Sequence, residues 1–139
     1  MIRRSLSFLG RFAWLRQKCF CRSLATTTDS IRGNFAVLDD SDLSVFERLI
    51  GKNNVETNDL QPYNCDFLHI YKGSSKCVLF PTSVEEVSAI LAHCYARKLA
   101  VVPQSGNTGL VGGSVPVFDE VILSLRKLNK RFNFDPHAG

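Results

Sequence analysis

Apolar residues fall into short blocks between residues 41 and 125, and their spacing separates helices from strands. Leu43, Phe46, Leu49 and Ile50 recur at i, i+3, i+6 and i+7, one stripe of a helix over about 41–50. Asp39-Asp40-Ser41-Asp42 offers N-cap residues and first-turn acids, and Gly51 a stop. Residues 51–70 are polar and irregular, and read as a connector packed on a partner surface. Cys77-Val78-Leu79-Phe80, closed by Pro81, suits a buried strand. Ser83-Val84-Glu85-Glu86 is a capping box opening a helix that runs to about Lys98. Val84, Val87, Ile90, Leu91 and Cys94 form its apolar face, which places His93 on the solvated side. Ala100–Pro103 and Val121–Leu125 are two further strands. A strand–helix–strand run predicts a parallel pair with a right-handed crossover. No internal repeat is visible.

The charge is uneven. The 139 residues carry 17 Lys+Arg and 13 Asp+Glu, net +4. Residues 1–28 hold six of the basic residues and no acid. The rest of the chain is slightly acidic, so no basic face suggests nucleic-acid binding. Residues 1–24 interleave Phe8, Leu9, Phe12 and Leu15 at helical spacing with Arg3, Arg4, Arg11, Arg16 and Lys18. An acid-free amphipathic segment of this kind reads as a mitochondrial targeting peptide. Arg11 and Arg16 interrupt the apolar core that a secretory signal needs. Arg22-Ser23-Leu24-Ala25 resembles a matrix-protease site, so a mature start near Ala25 is expected. The alternative is a basic surface helix lying on anionic lipid. No run of apolar residues is long enough to predict a transmembrane helix.

Five Cys occur without a CxxC pair, which fits reduced thiols. Cys65 and His69 lie four apart, but no second pair completes a zinc site. His69 and His137 have no sequence partner that would make either a base. No catalytic and no metal-ligating residue is therefore assigned.

Four of the nine glycines fall between Gly106 and Gly113. The segment Pro103–Ser114 joins two apolar strands, and no Lys or Arg occurs from Val101 to Phe118. Successive backbone amides in such a turn can form an anion-binding nest. Ser105, Asn107, Thr108 and Ser114 add side-chain donors. An anion held without cations suits a buried diphosphate better than phosphoryl transfer. The spacing excludes a P-loop, which needs Lys after its last glycine. It also excludes Gly-x-Gly-x-x-Gly followed by a helix. A glycine-rich surface turn with no ligand remains the alternative on spacing alone.

The string PQSGNTGLVGGSVPVFDE, residues 103–120, resembles the pyrophosphate loop of FAD-linked oxidoreductases of the vanillyl-alcohol oxidase type, with a PCMH-type FAD-binding domain. Within that superfamily it is similar to D-2-hydroxyglutarate dehydrogenases, with D-lactate dehydrogenases as relatives. LFPTSVEEVSAILAHCYARKLAVVP before it and VILSLRKLN after it match the same family. The likeness is strong over about 70–134 and looser over 38–69. It implies an α+β fold: an incomplete FAD-binding domain over 71–139, after a helix and connector over 25–70. It implies that Ser105, Gly106, Asn107, Thr108, Gly109, Gly113 and Ser114 wrap the FAD diphosphate. The family usually has Gly at the position of Ser105. If positive φ were needed there, Ser would cost on the order of 1 kcal/mol. Relatives that bind flavin covalently at this loop have His at the position of Asn107, so noncovalent FAD is expected.

The family's substrate and catalytic residues lie beyond the matched region, and none of His69, His93 and His137 corresponds to them. The expectation is an N-terminal portion of a mitochondrial matrix dehydrogenase that oxidises a D-2-hydroxy acid and passes electrons to an acceptor. The portion alone is expected to be inactive and marginally stable, with a small core. The alternative is a noncatalytic flavin- or partner-binding product of this length.

Overall fold

The computed structural model describes residues 31–130. The amphipathic segment 1–24, the expected start at Ala25 and His137 lie outside the described residues. Helix α1 (Asp40–Ile50) begins at Asp39, whose carboxylate accepts from the Asp42 amide at 3.0 Å while the Asp42 carboxylate accepts from the Asp39 amide at 3.2 Å. This reciprocal box satisfies two helix-end donors. Gly51, at φ 82°, ends the helix, and its amide donates to the Glu47 carbonyl.

The chain then makes a single 3-10 turn, Lys52–Asn54, and a short strand β1 (Val55–Glu56). Strand β2 (Val78–Leu79) is shorter than the apolar run that announced it. Helix α2 (Val84–Arg97) follows, then β3 (Val101–Gln104), β4 (Val121–Ser124) and a 3-10 turn, Leu125–Lys127. The sheet order is β1-β2-β4-β3. β1 runs antiparallel to β2, and β4 is parallel to both β2 and β3. Thus α2 does connect two strands of one sheet, but they are not neighbours as the sequence predicted. Strand β4 takes the centre between them, with all four residues buried.

Alternation along β4 divides the core. Val121 and Leu123 pack with Phe46 and Ile50 of α1, Ile90 and Cys94 of α2, and Cys77, Leu79 and Leu99. Ile122 faces the other way and joins Val78 and Phe80, with Leu60 and Tyr63 against them. The segment read as a connector for a partner therefore covers this chain's own sheet. It also supplies the edge strand β1, which its polar sequence hid. The buried stripe of α2 is narrower than predicted: Val84 is 73% exposed and Leu91 43%.

The helix start predicted at Ser83 is only half a capping box. Ser83 Oγ accepts from the Glu86 amide at 3.2 Å, but Glu86 reaches back one residue further, to the Thr82 amide at 2.6 Å. His93 is also corrected. It is not a solvated residue but sits edge-on to Phe46, with Nε2 2.9 Å from the Asp42 carboxylate. Asp42 is fully buried and also accepts from Arg97 Nε at 2.8 Å. The Arg97 hydrogen bond, aided by His93, holds the Asp42 pKa down to about 2 despite burial. This cluster ties α1 to α2.

Candidate functional site

The glycine segment leaves the carboxyl end of β3, the end of a parallel sheet where ligands are commonly bound. Its base is fixed by Gln104, 2% exposed, whose Nε2 donates to the Tyr63 carbonyl at 2.9 Å and the Ser114 carbonyl at 2.8 Å. One side chain therefore joins both ends of the loop to the segment that covers the sheet. Asn107 makes a second tie. Its Nδ2 donates to the Cys65 carbonyl at 2.7 Å, and its Oδ1 accepts from Ser114 Oγ at 2.7 Å. Asn107 adopts φ 52°, a left-handed conformation that Asn tolerates better than most residues.

Among the seven predicted residues, Ser105, Gly106, Thr108, Gly109 and Gly113 are exposed on the loop surface, while Asn107 and Ser114 are half-buried. The side chains of Asn107 and Ser114 face the protein and hold the loop's shape. The strain considered at Ser105 is absent: among the described residues, positive φ outside glycine occurs only at His69, Lys98 and Asn107. Among the loop's glycines only Gly112 uses it, at φ 71°. A Cβ at Gly112 would lie 2.6 Å from the Tyr71 ring, so this glycine is required by the protein's own packing.

The other glycines behave differently. A Cβ at Gly109 or Gly113 would meet nothing within 4 Å, and one at Gly106 only Thr108, at 3.8 Å. Among the described residues, neither crowding nor backbone conformation demands glycine at Gly109 and Gly113. Their bare backbone faces open space, which suits a ligand brought into van der Waals contact with the main chain. Among the described residues, no backbone hydrogen bond engages the amides between Gly106 and Gly113. A buried polar atom points the same way. Ser124 Oγ has no hydrogen-bond partner among the described residues, although Ser124 is 1% exposed. Ser124 is the strand partner of Gln104 and shares its sheet face. An open glycine wall, unengaged amides and an orphaned hydroxyl at one strand end fit a diphosphate-bearing ligand.

A cavity of about 490 Å³ opens beside the loop, lined by Gly106 and Asn107 on one side and by Pro62, Cys65, Asp66 and His69 on the other. Asp66 is buried and accepts from the Leu68 amide at 3.2 Å and the Tyr71 amide at 2.7 Å. That turn carries His69, at φ 57°, back toward Cys65, leaving His69 Nδ1 3.2 Å from the Cys65 thiol. His69 therefore has a partner, contrary to the expectation from sequence. A reciprocal pair anchors the segment: Asn64 Nδ2 donates to the Ser75 carbonyl at 3.0 Å, and the Ser75 amide donates to Asn64 Oδ1 at 2.8 Å. Sequence reasoning missed Gln104, Tyr63 and the whole 59–69 wall. Gln104 was the available signal, a polar residue at the last position of an apolar strand, directly before the loop. Among the described residues no group of three potential metal ligands occurs, and no helix is long and apolar enough to cross a membrane.

Residues 75–139 match the FAD binding domain family. The chain is 50% identical over 126 residues to a mitochondrial D-2-hydroxyglutarate dehydrogenase of Arabidopsis thaliana, covering 88% of this chain and 22% of that protein. It is 50% identical over 106 residues to the mitochondrial D-2-hydroxyglutarate dehydrogenase of Rattus norvegicus, covering 76% of this chain and 20% of that protein. The chain thus spans about a fifth of the length of these relatives. Its fold is similar to p-cresol methylhydroxylase with substrate bound, with TM-score 0.57 and 26% identity over 71% of this chain and 21% of that one.

Proposed function

We propose, from a chain whose residues 75–139 carry part of an FAD-binding domain, that it is the flavin-binding portion of a mitochondrial dehydrogenase acting on a D-2-hydroxy acid. D-2-hydroxyglutarate is the first candidate substrate and the 2-oxo acid the product. The 50% identity over 126 residues to a D-2-hydroxyglutarate dehydrogenase supports this reading most strongly.

In this reading the diphosphate lies along the loop from Ser105 to Ser114. Amides of Gly106, Thr108, Gly109 and Gly113 donate to its oxygens, with the hydroxyls of Ser105 and Thr108 as further donors. Asn107 and Ser114 contribute by fixing the loop through their mutual hydrogen bond and the tie to Cys65. When bound, FAD supplies a two-electron acceptor for hydride from the substrate carbinol carbon. Asn107 offers no nucleophilic ring nitrogen, so binding is noncovalent. The amphipathic segment 1–24 directs import into the matrix, with the mature chain starting near Ala25. No residue of this chain is assigned to substrate, and electrons leave to a separate acceptor.

The test is to purify the protein, denature it in acid and measure flavin in the supernatant and pellet. Release of all flavin as FAD is expected, and colour retained in the pellet would overturn noncovalent binding. Reduction of a dye acceptor with D-2-hydroxyglutarate exceeding that with D-lactate, measured on a longer dehydrogenase that contains this portion, tests the substrate. N-terminal sequencing of the mitochondrial form tests the start, and an intact Met1 would refute cleavage.

A further inference from the structure

The glycine loop carries no cation of its own, and the carboxylates of Asp59 and Asp66 line the cavity beside it. An anionic ligand approaching there meets charge of its own sign. Cations stand one strand away. β4 is parallel to β2 and β3, so the carboxyl ends of all three lie at one end of the sheet. The loop leaves β3 at that end, and Arg126, Lys127 and Lys130 follow β4 at the same end. All three cations are exposed, and each is tied to a neutral acceptor. Arg126 Nη1 donates to Tyr63 Oη at 3.3 Å, Lys127 Nζ to Asn54 Oδ1 at 2.6 Å, and Lys130 Nζ to Thr82 Oγ1 at 3.2 Å. Among the described residues none of the three is in an ion pair, whereas Arg32 and Arg97 pair with Asp119, Asp39 and Asp42. Glu85 shares a cavity wall with Lys130, and Glu86 binds Thr82, so the outward field comes chiefly from Arg126 and Lys127. Tyr63 links these cations to the loop: its hydroxyl accepts from Arg126 and its carbonyl from Gln104.

We propose that Arg126 and Lys127 form an electrostatic rim that captures the anionic ligand of the glycine loop and steers it in. The proposal rests on the FAD reading, in which that ligand is a diphosphate. The loop holds the diphosphate through amides and hydroxyls, and the rim acts earlier, on its approach. A fixed field at the mouth of a site raises the rate of encounter without any contact in the bound state. Its signature is therefore a salt-dependent association rate, with dissociation left alone.

The experiment mixes the full chain with FAD in stopped flow and follows flavin fluorescence at low and high salt. Charges act over about 30 Å at about 0.01 M salt and about 3 Å at about 1 M. Arg126→Gln/Lys127→Gln is expected to associate about fivefold more slowly than the parent at the lower salt and at the parent's rate at the higher. Its dissociation rate should stay within about twofold of the parent's. Lys76→Gln/Lys98→Asn removes the same charge from the amino ends of β2 and β3, and Asn suits the left-handed backbone at φ 58°. This second variant should associate within about twofold of the parent. The basic residues 1–28 are the same in all three proteins and drop out of the comparison. Equal association by the parent and Arg126→Gln/Lys127→Gln at low salt would overturn the rim. Equal slowing by both variants would overturn it as well, because net charge alone would then act. Slowing that persists at high salt, or faster dissociation, would make the ties to Tyr63 and Asn54 structural and would also overturn it. If the parent binds no FAD at either salt, the FAD reading fails and the rim with it. A failure of the rim alone leaves FAD bound at rates indifferent to the substitutions.

Discussion

Replacing Asn107 by Ala separates loop order from loop chemistry, because the side chain does not need to touch the ligand to matter. The substitution removes the 2.7 Å hydrogen bond to the Cys65 carbonyl and the 2.7 Å bond from Ser114. Two such bonds contribute about 1–3 kcal/mol together. The backbone at φ 52° adds about 1 kcal/mol, since Ala fits the left-handed region less well than Asn. The loop thus loses about 2–4 kcal/mol of local order. If FAD binds the ordered loop, that cost appears as weaker binding of up to about 30- to 1000-fold. Global stability should fall much less, because the loop carries little of the core. Asn107→Gly removes the same hydrogen bonds but relieves the backbone, so it should bind FAD better than Asn107→Ala. Titration of flavin fluorescence, paired with thermal melts, measures both. Binding by Asn107→Ala within twofold of the parent would refute the reasoning that loop order limits affinity.

Other consequences follow from the same geometry. Asp42 is held near pKa 2 by Arg97, so its stabilising effect is complete above about pH 4 and fades as pH falls toward 2. The effect is on the order of 2 kcal/mol, and Asp42→Asn should flatten the acid limb of stability measured by urea melts. An acid limb identical to the parent's would count against the buried cluster. Gly112→Ala places a methyl 2.6 Å from the Tyr71 ring at φ 71° and should destabilise by about 2–4 kcal/mol, seen as a lower Tm. A melt unchanged from the parent would mean that Tyr71 does not close over the loop. Arg32 clamps the Asp119 carboxylate at 2.8 and 3.1 Å, and this pairing holds the Asp119 pKa down. Arg32→Ala should expose the 31–36 segment to proteolysis earlier than the parent.

Local patterns were legible where one face of an element is buried. The stripe of Phe46 and Ile50 and the run Val121–Leu123 announced their elements, because periodicity follows burial. Strand order was not legible. Nothing local to β2, α2 and β3 says that β4 will enter between the two strands. β1 was hidden because its two residues are half-buried at a sheet edge, where no apolar pattern is needed. His93 was misjudged for a related reason. Its partner, Asp42, lies 51 residues away, and helical spacing cannot report a tertiary hydrogen bond. The glycine loop stood out from its composition, but composition does not sort glycines by role. Only the three-dimensional surroundings show that Gly112 is packed under Tyr71 while Gly109 and Gly113 face open space. The cavity wall at Cys65 and His69 arises from a buried Asp66 turn that a polar stretch does not advertise.

If those open glycines form a ligand surface, a branched side chain placed on one of them must block FAD. Titrating FAD against the parent and against Gly113→Val, with melts of both, tests this directly. The predicted result is a Tm unchanged within the small effect of an exposed substitution, about 0.5 kcal/mol, with FAD affinity reduced at least tenfold by the isopropyl group. FAD binding as tight in Gly113→Val as in the parent would contradict the account and leave the loop a surface turn.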